Sequence, residues 1–249
     1  GRSLRANLTL TILLASVAGY VNGSGFLLFG VNTSHMTGNA AYLGEALGGG
    51  LLSVAWFSAR LLLAFLFGAA TTAVLREVTA RWKRARHVPA ILGELLLIGG
   101  VAAWAQLHPG AREPLLTQAL AFAMGMQNAL VTRVSGAVVR TTHLTGLVTD
   151  IGLELVHWVR FWGEHIRAGG LGGVAQGLKD ILTDPWFGRA WLHLALVVSF
   201  TGGAGAAALL LSAFSPWVLG VPCAVLALLC VDDLMQGREP ATAGAPASH

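Results

Sequence analysis

Apolar residues along this chain come in long runs, with polar and charged residues gathered between them. Six runs, 7–29, 52–75, 88–107, 114–132, 190–213 and 216–232, approach the roughly 20 residues a helix needs to cross about 30 Å of hydrocarbon. Two shorter runs follow the first and the fourth, at 34–47 and 142–159, and carry Glu45, Asp150 and Glu154. They are predicted to be short helices that enter the membrane without crossing it. Residues 160–189 set Leu171, Val174, Leu178 and Ile181 at helical spacing among Trp158, Trp162 and Trp186, the pattern of an amphipathic helix lying on a membrane face. Residues 234–249, rich in Ala, Pro, Gly and Ser, are read as a disordered tail. The expected fold is an all-α integral membrane protein.

A repeat organises these runs. Thr33, His35, Thr37 and Gly38 align without a gap on Thr141, His143, Thr145 and Gly146, and Ser34 on Thr142. Upstream, Gly19-Tyr20-Val21-Asn22-Gly23 matches Gly125-Met126-Gln127-Asn128-Ala129, two residues out of register with the first pair. Internal repetition of this kind is settled before any fold is assigned. It divides the chain into an N-terminal segment 1–6, a first repeat 7–107 and a second repeat 114–233. It also decides the reading of the N-terminus. Arg2 and Arg5 ahead of Leu8 resemble a signal peptide, but the run is the counterpart of one deep inside the chain and is read as the first span.

Charge then orients the spans. If only the six long runs cross and the termini are cytoplasmic, all 16 Lys and Arg residues fall inside except Arg112, which is outside, and Arg60, which is within a span. Letting both short runs cross would move the cluster Arg76 to Arg86 outside, against the positive-inside bias. Each repeat therefore has three spans. An odd number forces the two copies into opposite orientations, the inverted three-helix repeat of secondary transporters.

Composition adds three limits. With 55% hydrophobic and 11% charged residues, against roughly 25% charged in soluble domains, the chain needs lipid as its solvent. The 32 glycines suit helices that pack closely in a bilayer. The net charge of +4 is spread over membrane-flanking positions and implies no nucleic acid. Cys223 and Cys230 lie inside one apolar run and are read as packing residues.

The repeated motif is the candidate chemistry. Thr33-Ser34 and Thr141-Thr142 are good N-cap residues ahead of a helical run, and a helix start exposes unpaired N–H groups and a partial positive charge. Inside a bilayer such a start needs protein or water around it, so it makes a recess suited to a polar or anionic solute. Gly38 and Gly146 admit a close approach, Asn39 follows the first motif, and Asn22 and Asn128, amides that need partners within spans, are expected to contact the opposite motif or the solute. The alternative reading makes the motifs helix caps and interhelical glue. Arg60 and Glu94 are expected to pair or to couple charge movement. Asp150 and Glu154 are expected on a solvated face, and Asp232 and Asp233 at the surface. No metal-ligand spacing, cofactor motif or catalytic constellation is present in the sequence, so the chain is not expected to be an enzyme, and no cofactor or metal is expected.

On Gly19-Tyr20-Val21-Asn22-Gly23, Ser34-His35-Met36-Thr37-Gly38-Asn39, Gly125-Met126-Gln127-Asn128-Ala129 and Arg140-Thr141-Thr142-His143-Leu144-Thr145-Gly146, the chain resembles the YoaK-type family of bacterial membrane proteins, domain of unknown function 1275. The resemblance implies a bacterial inner-membrane protein with about six helices, and no activity. The resulting expectation is a secondary transporter or facilitator of a small polar or anionic solute. A channel-like pore and a non-transporting scaffold or partner subunit are the alternatives. A homodimer is the expected assembly if the apolar surface is shared between copies.

Overall fold

The computed structural model describes residues 4–81, 87–110, 113–134, 144–181 and 184–236, with no strand among them. They form α1 (Leu4–Phe29), α2 (Met36–Gly48), α3 (Leu52–Val78), α4 (Val88–Leu107), α5 (Pro114–Val134), α6 (Leu144–Asp180), α7 (Pro185–Phe214) and α8 (Gly220–Gln236), with 3-10 turns at Thr79–Arg81 and Ser215–Leu219. Five stretches, in α1, α3, α4, α7 and α8, are long and apolar enough to cross a membrane. Their outward faces expose Phe26, Leu66, Phe67, Val74, Leu96, Val198, Leu209 and Leu228. Apolar surface on this scale is covered by lipid in a stable fold. The protein is a multi-pass helical membrane protein.

The helix α5 has 21 residues but is diluted by Gln118, Gln127 and Asn128, which is why it falls outside the apolar set. It tolerates them because it is central. Leu120, Ala121, Ala123, Met124, Leu130 and Val131 are fully buried, and so is Gln127, whose Nε2 donates to the Leu14 carbonyl of α1 at 3.1 Å. A polar side chain in this setting is stable when a protein group accepts its proton.

Two helix pairs form the frame, and both close on glycine. Where α1 meets α7, a methyl group on Gly19 would strike the Phe200 backbone and one on Gly203 the Ser16 backbone. Where α3 meets α5, Gly68 lies against the Phe122 backbone and Gly125 against that of Phe65. Gly23 meets Ala204 four residues beyond the Gly19–Phe200 contact. Thr72 donates to the Met126 carbonyl at 3.1 Å, four residues beyond Gly68–Phe122 on both helices. Both pairs are therefore parallel. Each joins the first helix of one repeat to the second long helix of the other. The shorter helices follow suit, α2 packing on α3 and α6 on α7, while α4 packs on α8 and α5.

Helix boundaries depart from the sequence reading in the second half. The second short helix continues past Val159 as part of α6, up to a break at Gly170 (φ 53°, ψ −127°) that only glycine adopts without strain. Beyond it the chain folds back, with Gly173 against the His165 backbone and Gly177 against the rings of Trp162 and His165. The stretch 160–189 is thus not one interfacial element. Its last residues already belong to α7, whose start is capped by Asp184 Oδ1 accepting from the Trp186 N–H at 2.7 Å.

Two carboxylates expected at the surface are inside. Glu154 is buried against His193 of α7 at 3.0 Å, whereas Asp150 is exposed. Asp233 is buried and accepts the His87 N–H at the start of α4, at 3.3 Å. Asp233 supplies the acceptor that the buried His87 N–H requires, and Glu154 sets its carboxyl beside a histidine of the neighbouring helix.

Two predictions follow from these contacts. Gly203→Ala is expected to lose about 1–3 kcal/mol, the usual cost of overpacking, in denaturant unfolding from lipid. Gly202→Ala, whose methyl would meet open space, is expected to change little. The fold-back after Gly170 is held by His165, whose Nδ1 donates to the Phe161 carbonyl at 2.9 Å and Nε2 to Asp180 at 3.3 Å. The Phe161 carbonyl first, and Asp180 second, raise the imidazole above its ordinary value of 6.5. The contribution is therefore complete below the unfolded value and lost as pH rises through the folded one. Amide exchange over 171–180 should accelerate across that interval, and Asp180→Asn should weaken the dependence while the Phe161 carbonyl maintains part of it.

Candidate functional site

The pairing of helices from opposite repeats leaves a cavity of about 450 Å³ between the two frames. One frame contributes Asn22 of α1, Phe200 of α7 and Leu144 and Thr145 at the start of α6. The other contributes Phe65 of α3, Asn128 of α5, Met36 and Thr37 at the start of α2, and Asn32, Ser34 and His35 just before it. The wall residues match across the repeat: Asn22 with Asn128, Met36 with Leu144, and Thr37 with Thr145. Phe65 and Phe200 match as well, each standing three residues before a frame glycine. Thr37 and Thr145, far apart in sequence, thus face one space.

The start of α2 differs from the predicted cap. The N-cap position is His35 (φ −87°, ψ 68°), with no side-chain cap hydrogen bond. Ser34 instead donates both its N–H and its hydroxyl to Asn22 Oδ1 at 3.0 Å, and Asn22 Nδ2 donates to Asn32 Oδ1 at 3.1 Å. Asn22 therefore anchors the turn that carries the first motif of its own repeat. Gly38 is explained by His35: a methyl there would collide with the imidazole ring, which lies across the first turn of α2. Thr33 is buried against Gly25, with no partner for its hydroxyl among the described residues. Asn39 is also buried, and its Nδ2 is likewise unpartnered among them. Neither lines the cavity. In the second motif Thr145 lines the cavity and Gly146 lies in the first turn of α6; Thr141, Thr142 and His143 lie outside the described residues.

A family model described as "Protein of unknown function (DUF1275)" matches residues 10–231, a stretch that holds both motifs and every described cavity residue. The chain belongs to the DUF1275 family. No curated protein and no solved structure matches it. Family membership accounts for the resemblance and leaves chemistry to be argued from the site.

The two charged residues singled out in the spans do not line the cavity. Arg60 of α3 lies over the Trp56 ring, 5.8 Å from its centroid, a cation–π arrangement that steadies a cation at a helix surface. Glu94 is fully buried within α4. Sequence reasoning missed Phe65, Phe200, Asn32, Met36 and Leu144. The first two carried a signal, since Phe65-x-x-Gly68 and Phe200-x-x-Gly203 repeat the same spacing in corresponding helices. The available wall chemistry is amide, hydroxyl and imidazole around two phenyl rings, able to donate and accept hydrogen bonds to a small solute.

Asn22→Ala is expected to leave the bundle folded but free the turn at Asn32–His35. Amide exchange at Ser34 should rise about fivefold or more, the equivalent of losing about 1 kcal/mol of hydrogen bonding. Unchanged protection at Ser34 would mean that Asn22 does not anchor the turn.

Proposed function

We propose that the protein is a secondary transporter or facilitator of a small polar or anionic solute, bound between the starts of α2 and α6. The observation that carries this reading is the cavity shared by Thr37 and Thr145 together with Asn22 and Asn128. A threonine from each copy of the motif borders one partly open space lined by amides and hydroxyls. In this reading α5 is the sixth span, the two repeats are inverted, and the termini are cytoplasmic in a bacterial inner membrane. The 14 basic residues that this topology gathers on one side support the orientation.

Alternating access in this architecture moves exchanged units rather than whole repeats. The set α1, α6 and α7 rocks against the set α2, α3 and α5, because glycine contacts lock α1 to α7 and α3 to α5 and the cavity walls come from both sets. The Asn22 hydrogen bonds to Asn32 and Ser34 cross between the sets. They would act as a latch that strengthens one orientation. Binding energy for the solute must exceed the cost of releasing that latch for the cycle to turn.

The test is uptake into proteoliposomes, screened over neutral polar solutes and small anions. His35→Ala and Thr37→Ala are expected to reduce uptake of the active solute tenfold or more, about 1.4 kcal/mol in each case, while thermal unfolding stays near wild type. Flux that saturates and shows counterflow supports a carrier, whereas flux that stays linear with concentration identifies a pore. Wild-type liposomes inert to every solute class would overturn transport and leave a membrane scaffold or a partner subunit.

A further inference from the structure

Away from the cavity, one buried group has no use in the reading above. Glu94 is completely enclosed, and neither carboxyl oxygen has a hydrogen-bond partner among the described residues. Elsewhere, Glu154 Oε1 lies 3.0 Å from His193 Nδ1, and Asp233 accepts the His87 N–H. An unpaired carboxylate in apolar surroundings is far costlier than the neutral acid. The carboxyl therefore holds its proton in this conformation.

Its position can be fixed from the contacts of α4. Gly99 approaches Cys223 of α8 while His87 binds Asp233, so the two helices run antiparallel. Between those contacts Glu94 comes level with Leu226 and Ala227. These helices correspond in the two halves, since each opens on Val-Pro, at Val88-Pro89 and Val221-Pro222. In that alignment the counterpart of Glu94 is Ala227. The acid thus stands midway along the pairing of the two corresponding helices, and the matching position carries no polar group. A purely structural demand would be met by an alanine here too.

Its described surroundings are apolar or weakly polar. On its own helix Ile91 and Ile98 are fully buried. From α8 the Cys223 thiol lies against Gly99, one helical turn and a half beyond Glu94. From α5 Met126 packs at Gly93.

We propose that Glu94 is a proton-binding site, loaded in this conformation and emptied when the α4–α8 contact shifts. The O–H bond forms at the carboxyl with a proton drawn from water on one side of the membrane. It breaks with release to water on the other side. No further reactant is needed. That this site drives solute movement rests on the carrier reading; that it binds a proton does not.

The experiment separates the two. Infrared spectra of the full chain in lipid nanodiscs are recorded from pH 5 to pH 10, with H₂O exchanged for D₂O, for wild type, Glu94→Gln and Glu94→Asp. The expected result is a protonated-carboxyl band that fades reversibly within this range, is absent in Glu94→Gln and is displaced in Glu94→Asp. Absence of any Glu94-dependent band would show an ionised, paired group and overturn the proposal. So would a band that never titrates, the mark of an inert neutral acid. In the uptake assay, an inward gradient of one pH unit should raise wild-type accumulation by up to about tenfold, with Glu94→Gln indifferent to the gradient but still exchanging solute. A titrating band alongside inert liposomes would retain the proton site and remove only the carrier.

Discussion

Direct contact between helix backbones is what the rest of this structure depends on. In lipid, apolar side chains gain nothing by leaving lipid for one another, so helices associate through close packing and hydrogen bonding rather than through the hydrophobic effect. Gly19 and Gly203 bring α1 onto α7, and Gly68 and Gly125 bring α3 onto α5, with no side chain between the main chains at these points. Contacts this tight make each pair rigid. Two rigid pairs of matching construction then meet, and the space they leave is the cavity.

The exchange of helices between repeats explains why the site is made from both motifs. If each repeat packed only upon itself, Thr37 and Thr145 would lie in separate cores. Because α1 packs with α7 and α5 with α3, Phe200 and Phe65 are carried to opposite walls of one space, with Asn22 and Asn128 beside them. The starts of α2 and α6 then enter from the outer helices of each pair. The polar lining follows from helix geometry, since a helix start leaves backbone N–H groups without partners inside the helix.

Buried polar groups elsewhere fall into an orderly pattern. Gln127 donates to Leu14, Thr72 to Met126, Glu154 meets His193, and Asp233 takes the His87 N–H. Each ties one helix to another and so contributes to the specificity of the arrangement. Glu94 ties nothing among the described residues, and that difference gives it its interest.

The sequence by itself determined the long helices, the membrane class, the repeat and most of the residues around the cavity. Those features rest on periodicity, run length and local matching, which are properties of neighbouring residues. Tertiary structure alone decided the rest. That Asn22 serves the turn of its own repeat, that the cap of α2 is His35, and that Glu154 and Asp233 are buried all depend on which helix lies opposite. The run 142–159 looked like an independent short helix because its charges and flanking residues ended the apolar pattern, yet nothing breaks the backbone until Gly170. Pairing between helices far apart in sequence is set by surface shape at glycine contacts, and shape of that kind is a property of the assembled bundle rather than of any one segment.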